Sequence, residues 1–137
     1  MKNICKYIIL FIIGGIGYCL IEIMFRHYTY ISMFVVGGVC FILVGLINNL
    51  LSFDTPMSLQ MLIGGGLITA VEFISGCVLN LIFGLNIWNY SDMPFNVMGQ
   101  ICLPFSAMWI LLSGVAIIAD DYLRYWLFGE EKPHYKF

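Results

Sequence analysis

Apolar residues gather in four long blocks, about Tyr7 to Met24, Ser32 to Leu51, Leu59 to Phe83 and Val97 to Ala119, with short polar connections between them. Each block is close to the twenty or so residues that a helix needs to cross the hydrocarbon of a bilayer. The pattern predicts an all-α membrane protein, a four-transmembrane-helix bundle over residues 1–119. Beyond it, Asp120-Asp121-Tyr122-Leu123-Arg124-Tyr125-Trp126-Leu127-Phe128 mixes acids with aromatics. Tyr and Trp favour the headgroup level, so residues 120–137 read as a short interfacial helix followed, from Gly129, by a loose cytoplasmic tail.

Composition agrees with the pattern. Of 137 residues, 61% are hydrophobic and 10% charged, against about a quarter charged in a soluble domain. Only lipid can cover so much apolar surface, which makes the bilayer the first partner. The net charge of −2 is spread without a basic run or metal-finger spacing, so no nucleic-acid partner is expected. Cys5, Cys19, Cys40, Cys77 and Cys102 lie in or beside apolar segments with no CxxC among them, and they read as reduced packing residues. The first block follows Lys2 and Lys6 but lacks a small-x-small cleavage site before Glu22-Ile-Met-Phe-Arg26, so it reads as a retained span. Lys2 and Lys6 precede that span, Arg124, Lys132 and Lys136 follow the last one, and Arg26 alone lies in a connection. This bias places both termini of a multi-pass protein on the cytoplasmic side of the cytoplasmic membrane. The connections Arg26 to Ile31 and Gly84 to Asn96 then face outward, and Ser52 to Ser58 faces inward.

An internal repeat overlies the four spans. Ile12-Ile13-Gly14-Gly15-Ile16-Gly17-Tyr18-Cys19-Leu20-Ile21-Glu22 aligns without gaps with Leu62-Ile63-Gly64-Gly65-Gly66-Leu67-Ile68-Thr69-Ala70-Val71-Glu72, sharing Ile13, both glycines and the glutamate. Chance similarity between Gly- and Ile-rich helices is the competing explanation. A true repeat makes each half a two-helix hairpin and the two halves parallel, an arrangement that places sites at the repeat interface in some transporters.

The glutamates are the chemistry of the repeat, because an ionisable group within a span costs about 2.5 kcal/mol or more to insert and is a functional candidate by default. At about 100° per residue, Gly65, Thr69, Glu72 and Gly76 share one helical stripe, with Ser75 and Asn80 at its edges. Gly15, Tyr18, Cys19, Glu22 and Arg26 share the matching stripe of the first span. Small residues such as Gly15, Gly65, Gly76 and Gly99 suit close helix packing, and polar groups are driven to the bundle interior. Glu22 has Arg26 one turn away and can form a local ion pair. Glu72 has no basic residue within reach on its own helix, so its alternatives are a functional carboxylate or a structural acid bonded to Thr69 or to a neighbouring span.

A second polar concentration runs from Leu85 to Asn96, with Trp88 and Tyr90 as candidate belt aromatics. Asn96 and Gln100 continue it onto one face of the fourth span, where Pro104 cannot donate to the Gln100 carbonyl. Glu22, Glu72, Thr69, Asn96 and Gln100 thus make up the expected intramembrane polar site. Glu72-Phe-Ile-Ser-Gly76, the loop Trp88-Asn89-Tyr90-Ser91, and Asn96-Val-Met-Gly-Gln-Ile-Cys-Leu103 with Trp109 resemble the signature of the bacterial family described as Putative ABC-transporter type IV, or CmpB-like, membrane proteins. Those proteins carry a glutamate-containing span, a Trp-Asp-Tyr-Ser loop and an Asn-x-x-Gly-x-Ile-Cys run. The resemblance covers roughly Thr69 to Trp109 well and the first half loosely, and Asn89 stands where the family has Asp. It implies a permease-like membrane component.

The chain has no Walker A motif, so an ATPase would be a separate subunit. It has no HExxH, no His and Cys at ligand spacing and no nucleophile elbow, so no metal, cofactor or catalytic residue is assigned. The reading is a transport component that acts as a homo-oligomer or with other membrane subunits. A non-transporting scaffold is the alternative, followed by an intramembrane enzyme using Glu72 and Asp92 as acid and base.

Overall fold

The computed structural model describes residues 2–51 and 54–135, without the side chains of Lys2, Asn3, Asn48 and Asn49. Ser52, Lys136 and the Lys2 side chain, which entered the reading of connections and orientation, lie outside what is described. Among the described residues the regular structure is helical: α1 (Lys2–Arg26), α2 (Ile31–Gly45), the single turn α3 (Ile47–Leu50), α4 (Met57–Gly76) with a π-helical extension (Cys77–Ile82), and α5 (Leu103–Phe128). Ile4–Arg26, Met57–Ile82 and Leu103–Phe128 are each long and apolar enough to cross a membrane, and Ile31–Gly45 is a shorter apolar helix. Outward on α1, the exposed residues Ile4, Ile8, Ile12, Ile16 and Leu20 recur every four positions. They form a stripe that only lipid or another apolar surface can cover.

The helices pair as two antiparallel hairpins. On α1, Phe11 and Tyr18 fit over Gly38 and Gly37 of α2, and Gly14 and Gly15 receive Phe41 and Phe34. In the second hairpin Gly64 lies under Ser113 and Gly65 under Ile110, while the Ser113 hydroxyl donates to the Met61 carbonyl at 2.9 Å. Each Gly-Gly pair of the sequence repeat therefore admits the return helix of its own hairpin. α2 joins the halves by packing on both α4 and α5. Val44, Ile47, Met57 and Ile117 form the core at one end, and Met33, Ile87 and Trp88 form it at the other.

Two boundaries differ from the sequence reading. The fourth helix begins at Leu103, not Val97, with Pro104 in its first turn, where a missing N–H costs nothing because first-turn donors have no intrahelical partner. Asn96–Ile101 remains loop, so Asn96, Gly99 and Gln100 are not on a helix. α5 also runs unbroken to Phe128, so residues 120–128 are its last turns and not a separate interfacial helix. The reason is Asp120: it is fully buried and ion-paired to Arg124 one turn on at 2.9 Å. Gly45 makes room for it, since a Cβ there would sit 2.5 Å from the Asp120 carboxyl carbon. That contact coincides with the end of α2.

The tail is also fixed over its described part. Gly129, at φ 66°, closes α5 in the left-handed conformation that glycine adopts without a Cβ clash. Glu130 then bonds Lys6 at 3.0 Å and approaches Arg124 at 3.7 Å. Tyr135 donates to Asp121 at 2.8 Å and packs on the Val44–Ile117 core. Burial, together with the Asp121 carboxylate, pushes the Tyr135 phenol above its usual range and keeps it a donor.

Two outcomes follow from this packing. A Cβ at Gly65 would lie 2.4 Å from Ile110 Cγ1 and 2.8 Å from its Cα, whereas one at Gly66 meets nothing within 4 Å. Gly65→Leu should lose about 1–3 kcal/mol by overpacking and lower the thermal midpoint in detergent, with Gly66→Leu close to the parent. Equal tolerance would refute the close contact. Asp120→Ala should cost about 1.5–3 kcal/mol, because it removes the nearer carboxylate from the buried Arg124 while Glu130 stays at 3.7 Å, and thermal unfolding of the purified variant measures it.

Candidate functional site

α1 packs on α2 and α5 packs on α4, which leaves a groove between α1 and α5 floored by α2 and α4. Its wide end, beside the 83–102 loop, encloses about 1040 Å³ lined by Glu22, Arg26, Glu72, Trp88, Tyr90 and Trp109 among others. A narrower continuation of about 260 Å³ runs past Ile13, Val44 and Ala116 to Leu123. Tyr18, Ile21, Met33, Glu72, Trp88 and Trp109 line both parts.

Glu72 sits one turn before the end of α4 and is 7% exposed. Trp109 Nε1 donates to its Oε1 at 3.1 Å, and the Tyr90 hydroxyl donates to its Oε2 at 3.0 Å. The antiparallel pairing of α4 and α5 brings Trp109 opposite Glu72. Tyr90 arrives from the loop, its ring stacked on Phe105 with centroids 4.9 Å apart. Burial, reinforced by the neighbouring Glu72 carboxylate, pushes the Tyr90 phenol up, so it serves as a donor throughout the neutral range.

Glu22 is equally buried but differently held. Its Oε1 accepts from Thr29 at 2.7 Å, and its Oε2 is 3.6 Å from Arg26. Arg26 also donates to the Ile87 carbonyl at 2.7 Å and to the Tyr28 hydroxyl at 2.8 Å, so it ties the first hairpin to the loop. Tyr18 faces both carboxylates, and its ring centroid lies 6.3 Å from that of Trp109.

Four acids are buried among the described residues, Glu22, Glu72, Asp120 and Asp121, and they differ in what stands one turn later; Asp121 has Tyr125 there and accepts from Tyr135. Four residues after Glu22 stands Arg26, four after Asp120 stands Arg124, and four after Glu72 stands Gly76. Gly76 is glycine because Gln100 Oε1 and Trp88 Cζ2 would lie 2.6 and 3.0 Å from any Cβ. Where Glu22 and Asp120 meet an arginine, Glu72 meets the packed loop. Among the described residues, no lysine or arginine lies within ion-pair distance of it.

The loop is a folded cap whose hub is Asn80 on the π-helical extension. Asn80 Oδ1 accepts from the Ile87 N–H at 2.6 Å, and its Nδ2 donates to Gln100 Oε1 at 2.8 Å. Trp88 is buried with its indole N–H on the Gln100 carbonyl at 2.9 Å, so it is a core residue and not a belt aromatic. That bond also occupies the carbonyl oxygen expected to be free. Asn89 Oδ1 accepts from the Ser91 N–H and hydroxyl, a use of one acceptor oxygen that Asn and Asp share. Asn96 bonds the Ser91 and Met93 carbonyls and accepts from the Gly99 N–H. Gly99, at φ 72°, lets Asn89 and Ser91 approach. Its role is loop closure and not helix packing.

The structure thus brings Glu22 and Glu72 to one groove and leaves three expected members out of it. Thr69 donates to Ser106 at 3.2 Å and braces α4 against α5. Asn96 organises the loop, and Gln100 is buried beneath it. The donors that the periodicity did not single out are Trp109 and Tyr90, which come from other elements and leave no trace in helical spacing. Asn80, at the edge of the α4 stripe, was visible in the sequence without a role.

The family described as Putative ABC-transporter type IV matches residues 5–127 of the chain, both hairpins and the loop together. No curated protein and no solved structure shows significant similarity to it. The match extends the likeness from the second hairpin to nearly the whole sequence, and the chain belongs to this ABC-transporter-related membrane family.

Proposed function

We propose that the protein is a permease-like component of a transport system, acting as an oligomer or with partner subunits that include a separate ATPase, and that Glu72 is the group that engages the cargo. The family assignment and the membrane-length helices support the coarse reading. The observation that carries the finer one is the Glu72 carboxylate, buried at a groove wall and held, among the described residues, by the neutral donors Tyr90 and Trp109. A negative charge in that position is costly unless something recurrently neutralises it. Four spans are few for a complete translocation path, and a groove open between α1 and α5 invites completion by another subunit. The distribution of basic residues favours an orientation with both termini in the cytoplasm and the connection Gly84 to Asn96 outside.

Glutamine can satisfy the same neighbours as an acid whose role is structural. Its carbonyl oxygen accepts from the Trp109 N–H, which is donor only, and its amide donates to the Tyr90 oxygen, which accepts as well as donates. Glu72→Gln should therefore keep expression and assembly near normal while reducing complementation of a deletion strain to the level of the empty vector. Glu22→Gln should be milder, because Arg26 retains the Tyr28 and Ile87 contacts. Full complementation by Glu72→Gln would make the scaffold reading the better one. Cysteine-accessibility mapping should label a cysteine introduced at Ser91 from outside and one at Asp54 only after permeabilisation. Cytoplasmic labelling of the Ser91 position would overturn the orientation.

A further inference from the structure

We propose that the groove between α1 and α5 binds a hydrophobic cation, an amphiphile whose ammonium-type head rests against Glu72 and Glu22 and whose apolar body lies along the narrower continuation toward Leu123. The proposal rests on the reading of Glu72 as the cargo-engaging group and adds the chemical class of the cargo.

The sign of the charge is the first argument. The wide end of the groove carries two carboxylates against one guanidinium, and Arg26 is already committed to Glu22, the Tyr28 hydroxyl and the Ile87 carbonyl. An anionic head would meet both carboxylates. A cation would instead supply the charge that the i+4 position of Glu72 lacks. The second argument is the wall itself. Tyr18, Tyr90, Phe105 and Trp109 surround the acid, linked by ring contacts of 4.9 to 6.4 Å. Aromatic faces attract cations by about 0.5–2 kcal/mol each, more as water is excluded, and are the usual cage for quaternary ammonium groups. A hydroxylated neutral head would gain little from these rings.

The third argument is the gradient along the groove. Apart from Glu72, the lining of the narrower part holds no charged residue, and Ile13, Val44, Leu112, Ala116 and Leu123 leave room there for a chain or ring system. The wide end alone reaches the upper limit of the roughly 300–1,000 Å³ of ordinary small-molecule sites. A small hydrophilic cation would neutralise Glu72 but leave the apolar part unfilled. A purely apolar ligand would leave the carboxylate unneutralised. Head and body are matched only in an amphiphile.

Tetraphenylphosphonium and tetraphenylborate have nearly the same size and shape and opposite charge, and their equilibrium binding to the full-length protein in an uncharged maltoside detergent tests the assignment. The phosphonium should bind saturably and at least about tenfold more tightly than the borate. Glu72→Gln should remove that preference, and Glu22→Gln should weaken it less. Gly17→Trp offers an independent check, because Gly17 lines the narrower part and a Cβ there meets nothing within 4 Å. It should block binding while the thermal midpoint stays at the parent value. Equal binding of the two ions, or phosphonium binding indifferent to Glu72→Gln, would overturn the proposal. So would the absence of binding together with a disulfide-trapped dimer through Gly17→Cys, which would give the groove to a second copy. If the phosphonium does not bind while Glu72→Gln still fails to complement, the cation assignment falls and the role of Glu72 stands. If Glu72→Gln abolishes binding yet complements fully, the groove binds cations but the transport reading falls.

Discussion

A carboxylate buried within a membrane span is costly unless hydrogen-bond donors or a counter-charge meet it, and Glu72 finds its donors in Trp109 and Tyr90. The demand made by Glu72 shapes much of the second half of this chain. One donor, Trp109, is reached by laying α5 antiparallel on α4, which the Gly64 and Gly65 contacts with Ser113 and Ile110 permit. The other, Tyr90, must come down from a connection, so the connection cannot be a loose surface loop. It is cross-braced by Asn80, Gln100 and Asn96 and seated through the buried Trp88. The π-helical extension of α4 belongs to the same device, since it delivers Asn80 to the loop and ends the helix beneath it. Insertions of this kind recur at functional positions.

The loop in turn couples the two hairpins. Arg26, at the end of α1, donates to Ile87 in the loop while pairing with Glu22. Met33 of α2 shares the core formed by Ile87 and Trp88. A displacement of α1 relative to α5, which would open or close the groove, therefore pulls on the segment that positions Tyr90 against Glu72. At the opposite end, Asp120, Arg124, Glu130 and Lys6 tie α1 to α5, so that end is the natural fulcrum for such a displacement.

What the sequence disclosed depended on whether the determining interaction was local. Four apolar blocks, two glycine pairs and two glutamates are local patterns, and they located the helices, their close contacts and the acids that the groove collects. The start of the fourth helix was misplaced by six residues because hydropathy does not distinguish an apolar loop from a helix. Pro104 pointed to the boundary, but it reads equally as a kink inside a span and as the first turn of a helix. Gln100 and Asn96 were assigned to the site on that helical face, and the assignment fell with the helix. Trp88 was placed in the belt by its residue type, whereas its indole N–H finds a partner in the Gln100 carbonyl, a long-range pairing that no spacing encodes. Asp120 had the aspect of a headgroup-level acid until Gly45 of α2 was seen to open a space for it.

Comparison of the buried acids carries the argument furthest. Glu22 and Asp120 follow the same local recipe, an arginine one turn later on the same helix, and both are thereby partly or wholly neutralised within their own element. Glu72 departs from that recipe, as does the buried Asp121, which has Tyr125 in the corresponding place, but Glu72 alone of the two lines the groove. Gly76 takes the place of the cation, Gln100 and Trp88 fill the space above it, and two neutral donors orient the carboxylate without cancelling its charge. A chain that stabilises two buried acids with arginines has the means to do so a third time. Leaving Glu72 without one costs stability in the empty protein, and the proposed cationic ligand would recover that cost. An arginine at position 76 would bring a cation to the acid but would collide with Gln100 and Trp88, so the loop's seat and a local ion pair exclude one another. This constraint links the glycine, the loop and the carboxylate as parts of one packed arrangement.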